Sequence, residues 1–142
     1  MPVRKADVMW QGSIQDGKGT MKLGSGAFEG QFSFSTRFEE GAGTNPEELI
    51  GAALAGCYSM ALSKVLGQSG YEPKNISTTA RVHLDKAEGG FTISKIELHT
   101  EGGVDGISES EFIEKAQGPA KENCIVRRAL GSVDVEVHAK LV

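Results

Sequence analysis

The stretch Thr44-Asn45-Pro46-Glu47-Glu48-Leu49-Ile50-Gly51-Ala52-Ala53-Leu54-Ala55-Gly56-Cys57-Tyr58-Ser59-Met60-Ala61-Leu62-Ser63 decides the fold, because it predicts one long helix at the centre of the core. Asn45 is a favourable N-cap, and Pro46 suits the first helical position. Two glutamates follow at the positive end of the helix dipole. The helix is expected to stop near Gly67 to Gly70. Because both of its faces are apolar or small, we expect it to be buried on all sides.

Short strands are predicted before this helix. Apolar residues alternate with polar ones in three segments, which are separated by turns at Asp16-Gly17-Lys18-Gly19 and Gly24-Ser25-Gly26. This pattern predicts a three-stranded meander whose last segment includes Phe32 and Phe34. Arg37 follows this segment, where a solvated charge at the end of a strand is the commoner case for an arginine.

Strands and helices are also predicted after the central helix. Residues 76–85 alternate, a turn follows at 88–90, and the next alternating segment changes parity, which predicts a bulge near Ser94 or Lys95. Ser108 is expected to cap a second helix, which Gly118-Pro119 interrupts. A short helical turn follows Cys124, and residues 133–141 form the last strand. The order of elements predicts one α+β domain over residues 1–142.

Composition and charge exclude several classes of protein. The 142 residues carry a formal charge of −4 with no basic stripe, so we expect no nucleic acid partner. The first residues lack an apolar signal core, and the uncharged stretch 49–63 is short for a bilayer. We therefore expect a cytoplasmic protein without a membrane partner. The apolar fraction of 39% is low and favours a partner subunit.

Two cysteines, Cys57 and Cys124, are too few for a secreted disulfide scaffold. They also make a poor metal site. His83, His99 and His138 each lie in an alternating strand pattern, and no Cys-x-x-Cys or His-x-x-x-His spacing occurs, so no metal site is expected. The same outward strand positions disfavour an acyl-transfer hydrolase, which needs a histidine beside its nucleophilic cysteine.

A catalytic role for Cys57 requires help from a cation. A free cysteine usually acts as a small hydrophobic residue, and an unassisted thiol is only about 3% thiolate at neutral pH. Arg37 precedes the helix and is a candidate for that cation, although a solvated arginine is the commoner case. Glu47 on its own is equally an ordinary first-turn helix carboxylate.

The segment from Arg37 to Ser63 closely resembles the OsmC branch of the OsmC/Ohr family. The most specific feature is the Thr-Asn-Pro-Glu run of residues 44–47, followed by a cysteine ten residues after its glutamate. The resemblance continues from Trp10-Gln11-Gly12 to the last strand. One departure is Ile125, which follows Cys124 where the family commonly has proline.

The resemblance implies a thiol-dependent peroxidase that reduces organic hydroperoxides to alcohols in stress defence. Cys57 would attack the peroxide, and Cys124 would resolve the resulting sulfenic acid as a disulfide, which an external dithiol then reduces. Arg37 would stabilise the thiolate, and Glu47 would hold Arg37 through paired hydrogen bonds. No metal or organic cofactor is needed. The implied fold has antiparallel sheets around a buried central helix in an intertwined homodimer.

Helix geometry predicts that the active site is shared between two chains. Glu47 and Cys57 are ten residues apart, which separates them by roughly 15 Å along the helix axis and places them on different faces. Arg37 and Glu47 of one chain would therefore serve Cys57 of the other. Two alternatives remain open: a non-enzymatic protein of the same fold that senses oxidants or binds a small molecule, and an inert protein whose cysteines fill the core.

Overall fold

The computed structural model describes all residues from Met1 to Val142 and divides into two compact units, Met1–Leu49 and Ile50–Val142. The predicted α+β class is confirmed, because each unit contains a three-stranded sheet and helices accompany both sheets. The prediction that residues 1–142 form a single domain stays a prediction.

The sheet of the first unit is the predicted meander. Strands β1 (Ala6–Gln11), β2 (Lys18–Leu23) and β3 (Glu29–Phe32) pair antiparallel in the order β1-β2-β3. Trp10 and Phe32 contact each other across β2 with ring centroids 5.4 Å apart. This aromatic pair covers Gly19, which lies between them on β2 and has no side chain to obstruct the contact.

The prediction that the alternation continues to Phe34 is wrong. Strand β3 ends at Phe32, and the short helix α1 (Phe34–Phe38) begins directly after Ser33. The side chain of Ser33 accepts from the Thr36 N–H, and the Thr36 hydroxyl accepts from the Ser33 N–H, which is a capping box. This reciprocal cap turns the chain from strand to helix and places Arg37 on a helix rather than at a strand end.

Helix α2 (Pro46–Gln68) has the predicted limits, and its cap is the predicted one. The Asn45 side chain accepts a hydrogen bond from the Glu48 N–H at 2.7 Å. At 23 residues, α2 is longer than its uncharged stretch, and by length and composition alone it is able to cross a membrane. Core helices of globular proteins pass the same test, and Leu54, Tyr58 and Leu62 of α2 are fully buried within the protein.

The prediction that α2 is buried on all sides is wrong for the single chain. A face that includes Ala52, Ala53, Gly56 and Met60 is exposed, and the Met60 residue is 76% exposed. These residues recur at intervals of three or four, so they form one stripe along the helix. The helix therefore has a buried face and an exposed face, and between Ala52 and Met60 the exposed face is apolar or small instead of charged.

The sheet of the second unit contains β4 (Pro73–Ala87), β5 (Gly90–Val104) and β6 (Asp134–Leu141), in that order. Strands β4 and β5 form an antiparallel hairpin with the predicted bulge, since Ser94 has no partner between the pairs His83–Lys95 and Leu84–Ile93. The prediction of antiparallel sheets is wrong for β6, which runs parallel to β5.

The parallel direction of β6 relative to β5 is possible because a crossover of three helices connects them. These helices are α3 (Glu109–Gln117), α4 (Pro119–Glu122) and α5 (Ile125–Ala129). Ser108 caps α3 by accepting from the Glu111 N–H, and the Gly118-Pro119 break is present as predicted.

The core of the second unit forms between α2, the sheet and the crossover. Leu54, Leu62 and Leu66 of α2 belong to one buried cluster with Ile96 and Leu98 of β5. Polar groups at this contact are satisfied by a chain of hydrogen bonds. The Ser59 hydroxyl lies 2.8 Å from the Thr78 hydroxyl, which lies 3.0 Å from the Thr100 hydroxyl. The packing of α2 on β4 and β5 therefore fixes the rotation of the helix about its axis.

We expect Gly102→Ala to destabilise the fold. A Cβ atom at Gly102 would lie 2.6 Å from the ring of Phe112, which is fully buried and has no room to move. Overpacking of this kind costs about 1–3 kcal/mol. Gly67→Ala is the matched control, because nothing lies within 4 Å of its Cβ position on α2 and alanine favours helix. Urea unfolding at one fixed protein concentration measures both changes, and equal stabilities of the two variants would contradict the prediction.

Candidate active site

Cys57 and Cys124 lie side by side in the second unit, although the chain separates them widely. The two thiols are close enough for Cys57 to raise the pKa of Cys124, and both are free. Cys57 is in the middle of α2 and half-buried, whereas Cys124 is fully buried. The structure thus brings together the two cysteines that the sequence singled out, one accessible and one enclosed.

Cys124 occupies the N-cap of helix α5, and this position fixes the direction of its side chain. The sulfur accepts a hydrogen bond from the Arg127 N–H at 3.5 Å. Ile125 is the first residue of the helix, a position whose N–H has no acceptor within the helix. Proline fits the same position for the same reason. Ile125 therefore requires no different backbone from the one that proline would adopt there.

The pKa of the Cys124 thiol is raised above its ordinary value. Burial is the main cause, and the hydrogen bond to Cys57 and repulsion from a charge on Cys57 add to it. Backbone N–H groups of Arg127 and Val126 act in the opposite direction. Cys124 therefore keeps its proton and is suited to donate its S–H to Cys57, so the pair carries at most one negative charge.

Tyr58 lies on the buried side of α2 next to Cys57, and no sequence motif singles it out. Its hydroxyl donates to the Ala116 carbonyl of α3 at 2.8 Å. Burial, and then repulsion from Cys124, raise the pKa of this phenol, so it stays protonated and remains a donor. Tyr58 thus ties α2 to the crossover helices that carry Cys124.

Arg37 and Glu47 form a pair in the first unit. Arg37 Nε lies 2.8 Å from Glu47 Oε1, and Arg37 Nη2 lies 3.1 Å from Glu47 Oε2, so the predicted paired hydrogen bonds are present. The Glu47 side chain is 10% exposed and that of Arg37 is 42% exposed. Arg37 also lies over the Phe38 ring, 5.5 Å from its centroid. The carboxylate orients the guanidinium and leaves Nη1 available for another ligand.

The loop between α1 and α2 holds this pair in position. The Asn45 amide donates to the Thr36 carbonyl of α1 at 3.1 Å, while its oxygen caps α2. The Thr44 N–H donates to the Gln31 carbonyl of β3 at 2.8 Å. Gly43 has φ of 138° and no room for a Cβ beside Gln31, so the loop requires glycine here. The Thr-Asn-Pro-Glu run is therefore a structural clamp on Arg37 and Glu47.

One further group of side chains is suited to a metal ion. It consists of Glu97, His99 and His138 on the second sheet, and it includes neither cysteine. The sequence predicts no metal site because these residues show no metal-binding spacing along the chain. They meet only through the pairing of strands.

Comparisons with known proteins identify relatives of this chain. The model of the family described as OsmC-like protein matches residues 39–138. The protein named peroxiredoxin OsmC of Escherichia coli strain K12 is 50% identical over 128 residues, which is 89% of each chain. The organic hydroperoxide resistance protein OhrB of Bacillus subtilis has a similar solved structure, with a TM-score of 0.77 and 26% identity over 96% of this chain and 98% of that one. A hydroperoxide resistance protein OsmC from Legionella pneumophila shares the fold at a TM-score of 0.71, with 23% identity and full coverage of both chains.

We expect the removal of Cys57 to lower the pKa of Cys124. In Cys57→Ala the hydrogen bond and the repulsion that raise this pKa are both absent, whereas burial remains. The pH at which Cys124 becomes reactive should therefore fall but stay above that of an exposed thiol. The rate of alkylation of Cys124 by iodoacetamide as a function of pH, followed by mass spectrometry, measures this. The same pH profile in the wild-type chain and in Cys57→Ala would show that the two sulfurs do not interact.

Proposed function

The chain belongs to the OsmC-like protein family, and from this membership we propose that it is a cysteine-based peroxidase that reduces organic hydroperoxides to alcohols. The observation that carries the proposal is the pair of neighbouring free thiols, one half-buried and one enclosed. The names of the relatives, a peroxiredoxin and an organic hydroperoxide resistance protein, support it.

The reaction begins at Cys57. Its thiolate attacks one peroxide oxygen, the O–O bond breaks, and the alkoxide leaves and takes up a proton to become the alcohol. Cys57 is then a sulfenic acid. Cys124 attacks the sulfur of this group, a disulfide forms, and the oxygen leaves as water. A dithiol reductant restores both thiols by exchange, and we place the protein in the cytoplasm, where such reductants are available.

The electrostatics of the pair suit this order of events. While Cys57 is negatively charged, its charge and its hydrogen bond hold the pKa of Cys124 high, so Cys124 does not compete for the peroxide. Oxidation of Cys57 to a neutral sulfenic acid removes the charge repulsion. The Cys124 thiol then loses its proton more readily, at the step where its thiolate is needed.

The exposed face of α2 supports both a homodimer and an apolar substrate. Ala53, Gly56 and Met60 surround Cys57 on this face, and they present no charge. Leu54 and Ala61, which are also near Cys57 along the helix, are not available to a substrate because they lie in the core. An alkyl group gains about 0.8 kcal/mol per methylene buried on such a surface, which favours organic hydroperoxides over hydrogen peroxide.

A second copy of the chain is the partner that we assign to the same face. Small residues allow two helices to approach closely, and the paired Arg37 and Glu47 have a guanidinium nitrogen free for a thiolate. We propose that the intertwined homodimer places Arg37 and Glu47 of one chain at Cys57 of its partner. The positive charge then stabilises the thiolate and the leaving oxygen.

We expect Cys57→Ser to abolish peroxidase turnover and Cys124→Ser to allow one turnover followed by over-oxidation of Cys57. Stopped-flow measurements with cumene hydroperoxide and with hydrogen peroxide, supplied with several dithiols, give the rates. Mass spectrometry identifies sulfinic acid at Cys57 in the Cys124→Ser chain. An active Cys57→Ser protein contradicts the mechanism, and equal rate constants for the two peroxides contradict the substrate preference.

We expect a mixture of two inactive variants to regain activity. Cys57→Ser and Arg37→Ala are each expected to be inactive as homodimers. In a shared-site heterodimer, one site contains the intact Cys57 of one chain and the intact Arg37 of the other, so part of the activity returns. Differently tagged chains allow the heterodimer to be purified. Heterodimers that form but show no activity would place each site within one chain.

A further inference from the structure

The outer face of the second sheet carries a cluster of ionisable side chains that the peroxidase mechanism does not use. Strand alternation puts Ile96, Leu98 and Thr100 of β5 in the core, so Glu97 and His99 point to the other side. The register of β5 with β6 places His138 directly beside His99. Side chains from neighbouring strands therefore meet here, although they are far apart in sequence.

Both imidazoles lie near one carboxylate oxygen of Glu97, and His138 Nε2 also lies 3.8 Å from Oε1 of Glu136. Their rings stack with centroids 4.7 Å apart and an interplanar angle of 14°. The Nε2 atoms of His99 and His138 lie 3.3 Å and 4.0 Å from the same Oε1 atom of Glu97. One ligand atom from each residue lies within 4.8 Å of the other two. Three potential ligands thus face a common point.

A fourth side chain orients the carboxylate. His83 of β4 is hydrogen-bonded to Oε2 of Glu97, the oxygen that the other two histidines do not face. This bond is the main reason why the pKa of Glu97 falls to about 2, so the carboxylate is ionised at neutral pH. Metal-binding carboxylates and histidines characteristically have such a partner behind them. His83 therefore leaves Oε1 free for an ion.

The protonation and the tautomer of the two stacked rings decide what the cluster binds. If His99 and His138 were both protonated, two parallel cations would share a single carboxylate oxygen. A neutral ring with its proton on Nε2 donates to Oε1 of Glu97, as the 3.3 Å contact of His99 allows, whereas a neutral ring with its proton on Nδ1 turns a lone pair toward the same region. A metal cation at the common point accepts both lone pairs and the carboxylate together.

The distances suit a small divalent ion. Zinc binds nitrogen and oxygen at about 2.0–2.2 Å, which separates two ligands of a tetrahedron by roughly 3.4 Å. The His99–Glu97 distance of 3.3 Å already has this value, and His138 at 4.0 Å needs to move by less than an ångström. Two imidazoles and one carboxylate favour zinc, nickel or copper over magnesium or calcium.

We propose that Glu97, His99 and His138 form a binding site for a divalent transition-metal ion, with Zn²⁺ as its simplest occupant. His99 and His138 are half-exposed and line a pocket of about 200 Å³ with Thr100, Glu101, Ala139 and Lys140. The site is therefore open, and water or a small anion completes the coordination. It is independent of the cysteines and goes beyond the peroxidase function.

The test is a titration of the purified full-length chain with Zn²⁺ by calorimetry, together with NMR of the histidine side chains. Thiols also bind zinc, so the same titration is run in the Cys57→Ser, Cys124→Ser chain, where only the proposed site remains. We expect one Zn²⁺ per chain in that background, with chemical-shift changes at the Nε2 atoms of His99 and His138.

Substitutions in the cysteine-free background identify the ligands. His99→Gln and His138→Gln should each weaken zinc binding by more than about tenfold, and His83→Gln by about tenfold through the loss of orientation. Glu101→Gln is the matched control, because it removes a carboxylate that lines the same pocket but lies outside the triad; its affinity should be unchanged. Circular dichroism verifies that each variant is folded. Absence of zinc binding in the cysteine-free chain, or equal affinities of His99→Gln and Glu101→Gln, would overturn the proposal.

Discussion

The packing of helix α2 in the second unit is the constraint on which the thiol chemistry depends. Leu54, Tyr58 and Leu62 follow one another at steps of four and are fully buried, so the helix is fixed in rotation. Cys57 precedes Tyr58 by one residue and therefore lies at the edge between the buried and the exposed face. From this edge it contacts the enclosed Cys124 on one side and is reached from outside on the other.

Burial and charge then divide the roles of two chemically identical thiols. Enclosure raises the pKa of Cys124, and the neighbouring sulfur raises it further. The same enclosure would hinder a substrate from reaching Cys124, so accessibility and protonation both favour Cys57 as the attacking group. Tyr58 stays neutral in the same surroundings, and its hydroxyl donates a hydrogen bond to the Ala116 carbonyl. Neither Cys124 nor Tyr58 therefore carries an unpaired buried charge.

Local chemistry made part of this architecture predictable. The limits of α2 follow from Asn45 and Pro46 because a cap and a fixed φ act within a few residues. The helix α1, which carries Arg37, was not predicted. Apolar and polar residues continue to alternate through Phe34 as in a strand, although the cap at Ser33 already begins the helix. The parallel direction of β6 was missed because alternation is the same in either direction. The proximity of Cys57 and Cys124 was predicted only from the family resemblance, because contacts between residues far apart in the chain leave no local sequence pattern.

The alternation of side chains along β5 has two consequences for the histidine cluster. The cluster cannot be recognised from spacing along the chain, and it lies on the side of the sheet opposite to the thiols. No spacing along the chain marks it, because His99 and His138 meet through strand register. Inward residues of β5 such as Thr100 connect through Thr78 to Ser59 of α2, so outward residues lie on the opposite side of the sheet. A thiolate is a stronger zinc ligand than an imidazole, and a zinc-bound Cys57 would lose its nucleophilicity. Placing a metal site across the sheet from the cysteine pair therefore lets one small fold hold both without either interfering with the other.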